Sequence, residues 1–324
     1  MSFTVNDAAT LGSLKLKNRL VMAPLQQYKG TIDAFPTDHH IAHYGRRARH
    51  VGLIIVESTA IASNGRLWPN DIGIYTQEHV QPLKSITDAI HAYGTPVFIQ
   101  LSHGGRKSSP EVTRSLFAPS ALPFDDHYGT PEALTQAGIR SVVEAYRLAA
   151  VRSVEAGFDG IEIHAAHGFL MHQFLSPLTN ARSDEYGGNA EGRSRFLKEA
   201  LLSIRQEVGR DYPVIIRISA TDYHEGGLTP EEWVRLLKPL EDDLDGIHVS
   251  SGGLLPIKPA DVHPGYQLPH AAAIKQHFRI PVIAVGKLHT RSLANRALED
   301  RLADLIAIGS PMLDDPDFAE SLLS

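Results

Sequence analysis

Short runs of apolar, β-branched residues recur eight times along the chain, separated by longer mixed segments. The runs lie at 18–25, 51–59, 95–101, 158–165, 213–219, 246–251, 281–285 and 304–309. Most are hydrophobic almost without interruption, as in the sequence Val-Ile-Ile-Arg-Ile at 214–218. Such runs are typical of parallel strands that are covered on both faces. The pattern therefore predicts an α/β fold built on a parallel sheet.

Segments with helical periodicity separate the strand-like runs. They lie at 37–49, 78–93, 140–156, 194–208, 230–240 and 290–298. Eight βα units without a Gly-, Pro- or Ser-rich linker favour one closed (β/α)8 barrel, a TIM barrel, over a doubly wound sheet. We therefore expect residues 1–324 to form a single domain. The alternating stretch 11–17 predicts a short N-terminal hairpin that closes the bottom of the barrel.

Charge and residue content exclude several kinds of function. The net charge of −6 repels polyanions, and no Lys/Arg-rich run with interleaved aromatic residues offers a nucleic-acid surface. The apolar runs are strand-sized and the N-terminus lacks a basic, apolar leader, so we expect a cytoplasmic protein without membrane segments. The chain has no cysteine, which excludes disulfides, thiolate nucleophiles and Cys-ligated metals. Any redox chemistry must use a bound cofactor.

A pair of histidines marks the end of the fourth strand-like run. Residues 161–167 read Ile-Glu-Ile-His-Ala-Ala-His, which places Glu162 and His164 on one strand face and His167 just beyond the strand. Two neutral imidazoles can donate N–H bonds to one carbonyl oxygen and stabilise an enolate. The same residues could ligate a metal, or the histidines could be packed structurally. The spacing alone leaves these three interpretations open.

Polar residues also occur inside the third and fifth runs. Arg217 lies in the very apolar fifth run, where an unpaired cation would be costly to bury. It is expected to face an anion such as a reduced flavin, or to pair with Glu162 or Glu57. Gln100 could contact the same flavin edge or be satisfied by the backbone.

Small residues lie at the ends of the last three runs or just after them, at the barrel positions that often bind phosphate. They are Ser251, Gly252, Gly286, Gly309 and Ser310. Glycine lets backbone N–H groups approach a phosphate closely. It is equally the ordinary residue of a tight turn, and the serine-glycine segment could be a flexible loop.

Taken over nearly its whole length, the chain resembles the Old Yellow Enzyme family of FMN-dependent oxidoreductases, in its bacterial thermophilic-like class. The matching motifs are NRLVMAP at 18–24, HIAHY at 40–44, GLIIVE at 52–57, QLSHGGRK at 100–107, IEIHAAHG at 161–168, SPLTNARSDEYGG at 176–188, RISATDY at 217–223 and PGYQ at 264–267. The motif at 176–188 is the most specific. The resemblance implies a barrel that binds FMN, takes hydride from NADH or NADPH and reduces the activated C=C bond of α,β-unsaturated carbonyl compounds.

The resemblance also implies roles for individual residues. His164 and His167 would bind the substrate oxygen, Tyr28 would help to place the substrate, and Lys107 would lie close by. The residues that would contact the flavin are Ala23, Pro24, Leu25, Gln26, Ala60, Gln100 and Arg217. Gly286, Gly309 and Ser310 fall where the family holds the phosphate. From their position after the sixth run, Ser251 and Gly252 are expected to bind the cofactor as well. FMN is expected rather than FAD, because no Gly-x-Gly-x-x-Gly segment offers a site for an adenosine half.

Three departures from the family pattern bear on the expected chemistry. Gln26 stands where the class has a cysteine near the flavin N5/O4 rim. Phe169 replaces the tyrosine that protonates the α-carbon, and phenylalanine has no proton to donate. Ser310 replaces an arginine beside the phosphate, and the sequence ends at Ser324 without the arginine-bearing tail that reaches a partner's site. A homo-oligomer, dimer or tetramer, is therefore left open.

The departures leave other functions to be weighed. Since Phe169 removes the proton donor, the alternative is an NAD(P)H-dependent reductase of quinones or nitro compounds, or an oxidase, with weak ene-reductase activity. Two further interpretations are a zinc hydrolase that uses Glu162, His164 and His167, and a flavin-binding sensor without turnover. In each redox interpretation the partner is a small-molecule electron acceptor.

Overall fold

The structure is a computed structural model that describes residues 3–324. Its strands are β1 (Ala9–Leu11), β2 (Leu14–Leu16), β3 (Leu20–Met22), β4 (Leu53–Ala60), β5 (Val97–Ser102), β6 (Phe117–Ala118), β7 (Glu132–Ala133), β8 (Gly160–Ala165), β9 (Val214–Ser219), β10 (Gly246–Ser250), β11 (Val282–Ala284) and β12 (Leu305–Ile308). Eight of them form a closed parallel barrel in the order β3-β4-β5-β8-β9-β10-β11-β12, and β12 closes on β3 through the Ile306–Leu20 register. The predicted (β/α)8 barrel is confirmed.

Ten α-helices accompany the strands in residues 3–324. They are α1 (Asp38–Arg47), α2 (Val80–His91), α3 (Gln136–Glu155), α4 (Leu170–Leu175), α5 (Ala190–Val208), α6 (Pro230–Leu237), α7 (Leu268–Lys275), α8 (Arg291–Glu299), α9 (Pro311–Asp314) and α10 (Phe318–Leu323). No helix in this range combines the length and the apolar character needed to cross a bilayer.

Local capping explains where the helix boundaries differ from the predicted ones. The helices expected from 140 and 194 begin four residues earlier, because the side chains of Thr135 and Asn189 accept hydrogen bonds from the first-turn N–H groups. The helix expected to reach 240 ends at Leu237, and a 3₁₀ segment that contains Pro239 follows it. Helix α7, with one proline and three consecutive alanines, has little periodic signal and was not predicted.

The predicted hairpin closes the bottom of the barrel. Strands β1 and β2 pair antiparallel, and their Leu11 and Leu16 are fully buried in the apolar cluster inside the barrel. Gly246 leaves room for the Leu11 side chain, because a Cβ atom at position 246 would lie 2.9 Å from Leu11 Cδ1. Gly160 does the same for Phe98, whose ring would lie 2.3 Å from a Cβ atom at 160. These glycines therefore allow the lower half of the interior to be filled by large side chains.

The upper half of the barrel interior is polar. It contains Gln100, Glu162, Arg217 and His248, which lie two strand positions above the apolar layer. A register shift in β4, between Val56 and Ser58, changes the alternation on that strand. The barrel therefore changes from apolar to polar along its own axis, towards the carboxyl ends of the strands, where barrels carry their sites.

Candidate active site

Two neighbouring cavities lie at the carboxyl ends of the barrel strands. The glycine-side cavity, of about 400 Å³, is lined by predicted residues Ala23, Leu25, His167, Arg217, Ser251, Gly286, Gly309 and Ser310. The histidine-side cavity, of about 330 Å³, is lined by predicted residues Pro24, Leu25, Gln26, Tyr28, Gln100, His164, His167, Phe169 and Arg217. Because Leu25, His167 and Arg217 line both, the two cavities form one cleft. Each volume is in the range of small-molecule sites, roughly 300–1,000 Å³.

Two predicted residues lie outside both linings. Ala60, at the end of β4, exchanges backbone hydrogen bonds with Ile72 and Ile74. Gly252 donates its N–H to the Thr221 carbonyl oxygen, so that group is not directed at the cleft. Neither residue contributes a free group to the cleft in this structure.

Several lining residues were missed by reasoning from the sequence. Trp68 and Ser58 line the histidine-side cavity, and Ser250, Tyr266 and Gln267 line the glycine-side cavity. Tyr266 and Gln267 belong to the PGYQ motif, so a signal for them was present. Ser58 faces the cleft because of the β4 register shift, which no sequence pattern indicates.

A larger cavity, of about 470 Å³, lies elsewhere, between α5 and α6 on the outer surface. Its wall includes Lys198, Glu199 and Arg235 and none of the predicted site residues. The cleft at the strand ends is the better candidate, because it collects buried polar groups from several strands.

The two imidazoles lie next to each other in the cleft. His164 Nε2 is 3.4 Å from His167 Nδ1, and His167 Nε2 is 2.8 Å from Ser250 Oγ. The Ala166 N–H donates to His164 Nδ1 at 3.3 Å, so the proton of a neutral His164 is assigned to Nε2. His164 therefore presents an N–H donor to the space between the rings.

The strand end holds His167 in an unusual backbone conformation. Its φ is +57°, a left-handed value that is rare outside glycine. The Lys107 ammonium donates to the carbonyl oxygens of His167 and Gly253, at 2.8 and 3.0 Å. No Cβ atom fits at Gly253, since it would lie 2.7 Å from His167 Cα. Lys107 and the close approach of the two loops therefore fix His167.

Burial keeps both imidazoles neutral. It lowers the pKa of His164 and of His167 well below the usual value, and the Arg217 charge lowers both further. Neutral rings are suited to donating hydrogen bonds to an oxygen that gains negative charge.

Arg217 is a buried cation, only 7% exposed, without an ion pair or hydrogen bond among residues 3–324. The predicted partner Glu162 instead accepts from Gln100 Nε2 and binds His248 Nδ1, each at 2.7 Å. The other predicted partner, Glu57, accepts from the Tyr44 hydroxyl. The internal-pair interpretation is therefore not realised, and the guanidinium faces the cleft, where an anion would satisfy it.

The same contacts leave the metal interpretation without a third ligand. The Glu162 carboxylate is turned to Gln100 and His248, away from the histidine pair. Among residues 3–324, no group of three His, Asp or Glu side chains could hold an ion.

Phe169 and Tyr28 lie on the wall of the histidine-side cavity. The Phe169 ring contacts the edge of His164 with centroids 4.8 Å apart. Tyr28 is 51% exposed, has a left-handed φ of +55° and packs edge-on against Trp68. Burial raises the Tyr28 pKa, and the carboxylates of Asp71 and Glu57 raise it further, so its hydroxyl keeps its proton.

Two of the phosphate-side glycines, Gly252 (φ +71°) and Gly286, have a positive φ that favours glycine. Gly286 is the more tightly surrounded of the two. Its φ is +122°, and a Cβ atom there would meet the Gln267 side chain at 2.9 Å. At Gly309 a Cβ atom would only touch Leu25, at 3.7 Å. Sterics thus explain Gly286 but not Gly309.

The geometry defines a class of protein: a TIM-barrel enzyme whose cleft joins neutral hydrogen-bond donors to a buried, unpaired cation. A cleft of this kind is suited to a bound organic group that carries negative charge.

Comparison with known proteins identifies the family. Residues 8–324 match the NADH:flavin oxidoreductase / NADH oxidase family, to which the chain belongs. It is 41% identical over 317 residues to an NADPH dehydrogenase of Clostridium acetobutylicum, covering 97% of this chain and 93% of that protein. It is therefore an Old Yellow Enzyme-like NAD(P)H:flavin oxidoreductase, which uses FMN and a nicotinamide hydride donor.

Solved structures agree with this assignment. An Old Yellow Enzyme homologue from Zymomonas mobilis is 31% identical with a TM-score of 0.88, covering 99% of this chain and 92% of that one. Morphinone reductase in complex with tetrahydroNAD is 32% identical with a TM-score of 0.87, covering 99% and 91%.

Proposed function

We propose that residues 1–324 work as a single FMN-binding domain that reduces the activated C=C bond of α,β-unsaturated carbonyl compounds. The observation that carries the proposal is the neutral pair His164 and His167 at the wall of the cleft, beside the buried Arg217. Two N–H donors next to a cation are suited to an oxygen that becomes an enolate.

The cleft fits FMN. Arg217, whose Nε has no partner, would balance the negative edge of the reduced flavin. Gly286, with its positive φ, would let the backbone approach the phosphate. Other lining residues that would contact the cofactor are Ala23, Pro24, Leu25, Gln26, Gln100, Ser251, Gly309 and Ser310. When bound, FMN would carry hydride from the nicotinamide to the acceptor.

Ser250 allows His167 to act as a donor towards the substrate. If its hydroxyl donates to His167 Nε2, at 2.8 Å, the imidazole proton lies on Nδ1, the atom that faces His164. A substrate oxygen between the rings would then receive one hydrogen bond from His164 Nε2 and one from His167 Nδ1. Both bonds strengthen as the oxygen gains charge, which favours hydride addition at the β-carbon.

The proton that completes reduction at the α-carbon must come from elsewhere than residue 169. Tyr28 carries a protonated hydroxyl on the same cavity wall, so we assign the proton to Tyr28 or to water. A positioned acid typically contributes about 10²–10⁴-fold. The phenyl ring of Phe169 therefore also supports a second candidate, reduction of quinones or nitro compounds, in which no carbon needs a proton.

Phe169→Tyr tests the proposal through its two half-reactions. Because a hydroxyl on this ring would lie on the cavity wall, we expect enone-driven flavin oxidation to become up to about 10²-fold faster. Flavin reduction by the nicotinamide should stay within about twofold, since it needs no proton on carbon. Anaerobic stopped-flow absorbance measures both rates.

Phe124→Tyr is the matched control. The Lys107 ammonium lies over both rings, 4.5 Å from the Phe124 centroid and 5.1 Å from the Phe169 centroid, but Phe124 is outside the cleft lining. Phe124→Tyr should leave both rates unchanged. If the native protein oxidises with a quinone but not with any enone, and Phe169→Tyr does not change this, the second candidate is correct.

A further inference from the structure

Gln26 and Asp71 form a part-buried contact at the edge of the histidine-side cavity. Gln26 Nε2 lies 2.6 Å from Asp71 Oδ1. The other carboxylate oxygen, Oδ2, accepts the backbone N–H groups of Leu67 and Trp68 at 2.6 and 3.0 Å. Asp71 is only 1% exposed, whereas Gln26 lines the cavity. Asp71 therefore lies behind the cavity wall, and among the partners of its carboxylate Gln26 is the one that contacts it through a side chain.

The ionisation of Asp71 decides which way the Gln26 amide is turned. A carboxylate can only accept hydrogen bonds, so the amide must direct its NH₂ group at Oδ1. Its carbonyl oxygen Oε1, which has no hydrogen-bond partner in residues 3–324, is then left for the cavity. A neutral donor at position 71 would reverse the amide.

We propose that Asp71 is a positioning residue that holds Gln26 with its Oε1 towards the cavity, so that the wall offers the bound flavin an acceptor rather than a donor. This inference rests on the proposed placement of FMN in the cleft. Neither the family comparison nor the fold assigns a role to Asp71.

An acceptor at the wall has a definite effect on a flavin. The N5/O4 edge of the oxidised ring carries only acceptors, whereas N5 of the reduced ring bears an N–H donor. An amide oxygen at that edge repels the oxidised form and accepts from the reduced form. If the N5/O4 edge of FMN lies at Gln26, the orientation set by Asp71 would therefore raise the midpoint potential of the flavin relative to the reversed amide.

The surroundings of Asp71 place its titration near neutral pH. Burial raises its pKa to about 7, while the N–H groups of Leu67 and Trp68, the Arg66 charge and the Gln26 amide act in the opposite direction. Glu57 also faces this cluster, and the Asp71 charge contributes to raising its pKa, as it does for Tyr28. At a pH of about 8.5 Asp71 is mostly ionised, and at a pH of about 5.5 it is mostly protonated.

Asp71→Asn reverses the amide without removing the contact. The carbonyl oxygen of the introduced asparagine would replace Oδ2, because the N–H groups of Leu67 and Trp68 still need an acceptor. The NH₂ group of that asparagine would then face Gln26, which must turn its own Oε1 inwards and its NH₂ to the cavity. Gln26→Met, of similar length, removes the hydrogen bonds altogether and supplies the control background.

Four holoproteins test the proposal: native, Asp71→Asn, Gln26→Met and the double variant. The midpoint potential and the visible spectrum of FMN are measured at a pH of about 8.5. Asp71→Asn removes a negative charge, which raises the flavin midpoint potential whether residue 26 is Gln or Met. Only when residue 26 is Gln does Asp71→Asn also reverse the amide, and this reversal lowers the potential. We therefore expect Asp71→Asn to raise the midpoint potential less in the native background than in the Gln26→Met background. The two shifts should differ by about tenfold in the reduction equilibrium, or about 30 mV.

At a pH of about 5.5 the difference between backgrounds should disappear, because a protonated Asp71 can donate to Gln26 as the asparagine amide of the variant does. Equal Asp71→Asn shifts in both backgrounds at the higher pH would overturn the proposal, since Asp71 would then act by charge alone. A Gln26→Met variant with unchanged spectrum and potential would overturn it too, by showing that residue 26 is not beside the flavin. Failure of the native protein to bind FMN in the cleft would instead overturn the proposed function.

Discussion

The two halves of the barrel interior are built on the same strands but have opposite character. The lower half contains Phe98 and Ile215 with the hairpin residues Leu11 and Leu16, all fully or almost fully buried and all apolar. Two positions further along the same strands, the upper half contains Gln100 and Arg217. The lower half is satisfied by packing, whereas the upper half contains a buried cation with no partner among residues 3–324.

This difference shows which half stabilises the fold and which half binds. Apolar burial contributes about 25 cal/mol per Å² without any specific geometry. A buried charge costs free energy unless a partner meets it, so Arg217 lowers stability until an anion occupies the cleft. Changes in the lower half should therefore act on stability, and changes in the upper half on ligands.

The largest effect is expected from Phe98→Ala in the lower half. Truncating this fully buried ring leaves a cavity above the hairpin, and such changes typically cost about 3–5 kcal/mol. Denaturant unfolding measures the loss. Phe117→Ala in the half-buried β6, outside the barrel, should cost clearly less. Equal costs would mean that the lower interior is no more tightly packed than the periphery.

Arg217→Met, in the upper half, should weaken cofactor binding rather than lower stability. We expect FMN affinity to fall about 100-fold, because the reduced and oxidised cofactor lose their buried cation, while the apoprotein becomes no less stable. Fluorescence titration with FMN and thermal unfolding of the apoprotein measure the two effects. Arg217→Lys, which keeps the charge, should retain more affinity. A destabilised apoprotein with normal FMN binding would place Arg217 among the structural residues.

Glu57→Gln tests a buried carboxyl group. The register shift in β4 places Glu57 against α1 rather than against Arg217. Burial raises its pKa to about 8, so between about pH 5 and 9 the folded protein binds more protons than the unfolded one. Native stability therefore falls as pH rises through this window. Glu57→Gln should remove that fall, gaining roughly 2 kcal/mol relative to the native protein over this window. Unfolding free energies of the apoproteins at both ends of the window measure it, and an unchanged difference would contradict the buried, neutral carboxyl.

The smallest effect is expected from Ser250→Ala in the upper half. Without the hydroxyl, His167 loses the partner that places its proton on Nδ1. A phenolate, whose charged oxygen would take the place of the substrate oxygen between the imidazoles, should therefore bind about fivefold more weakly, or by about 1 kcal/mol. FMN should stay bound. Spectral titration of the holoprotein with a phenol measures it, and His164→Ala should weaken binding at least as much. Loss of FMN together with the phenol would show that Ser250 serves the cofactor instead.

Local pattern predicted most of the barrel because strands and helices bury residues with fixed periods. The fifth and sixth runs, expected at 213–219 and 246–251, match β9 and β10 to within one residue. The pattern failed at α7, where alanines carry no amphipathic signal, and at the helix starts, where a capping side chain decides the boundary.

The sequence by itself determined the residue types of the cleft: a histidine pair at a strand end, an arginine in an apolar strand and glycines after the last strands. Only the tertiary structure decided their partners. Glu162 and Arg217 lie on adjacent strands, yet Gln100 and His248, from the strands on either side, occupy the carboxylate and leave the arginine free. The contact of Gln26 with Asp71 likewise joins residues 45 positions apart. Hydrogen-bond partners are chosen by distance and angle in the folded barrel, which a periodic pattern along the chain does not encode.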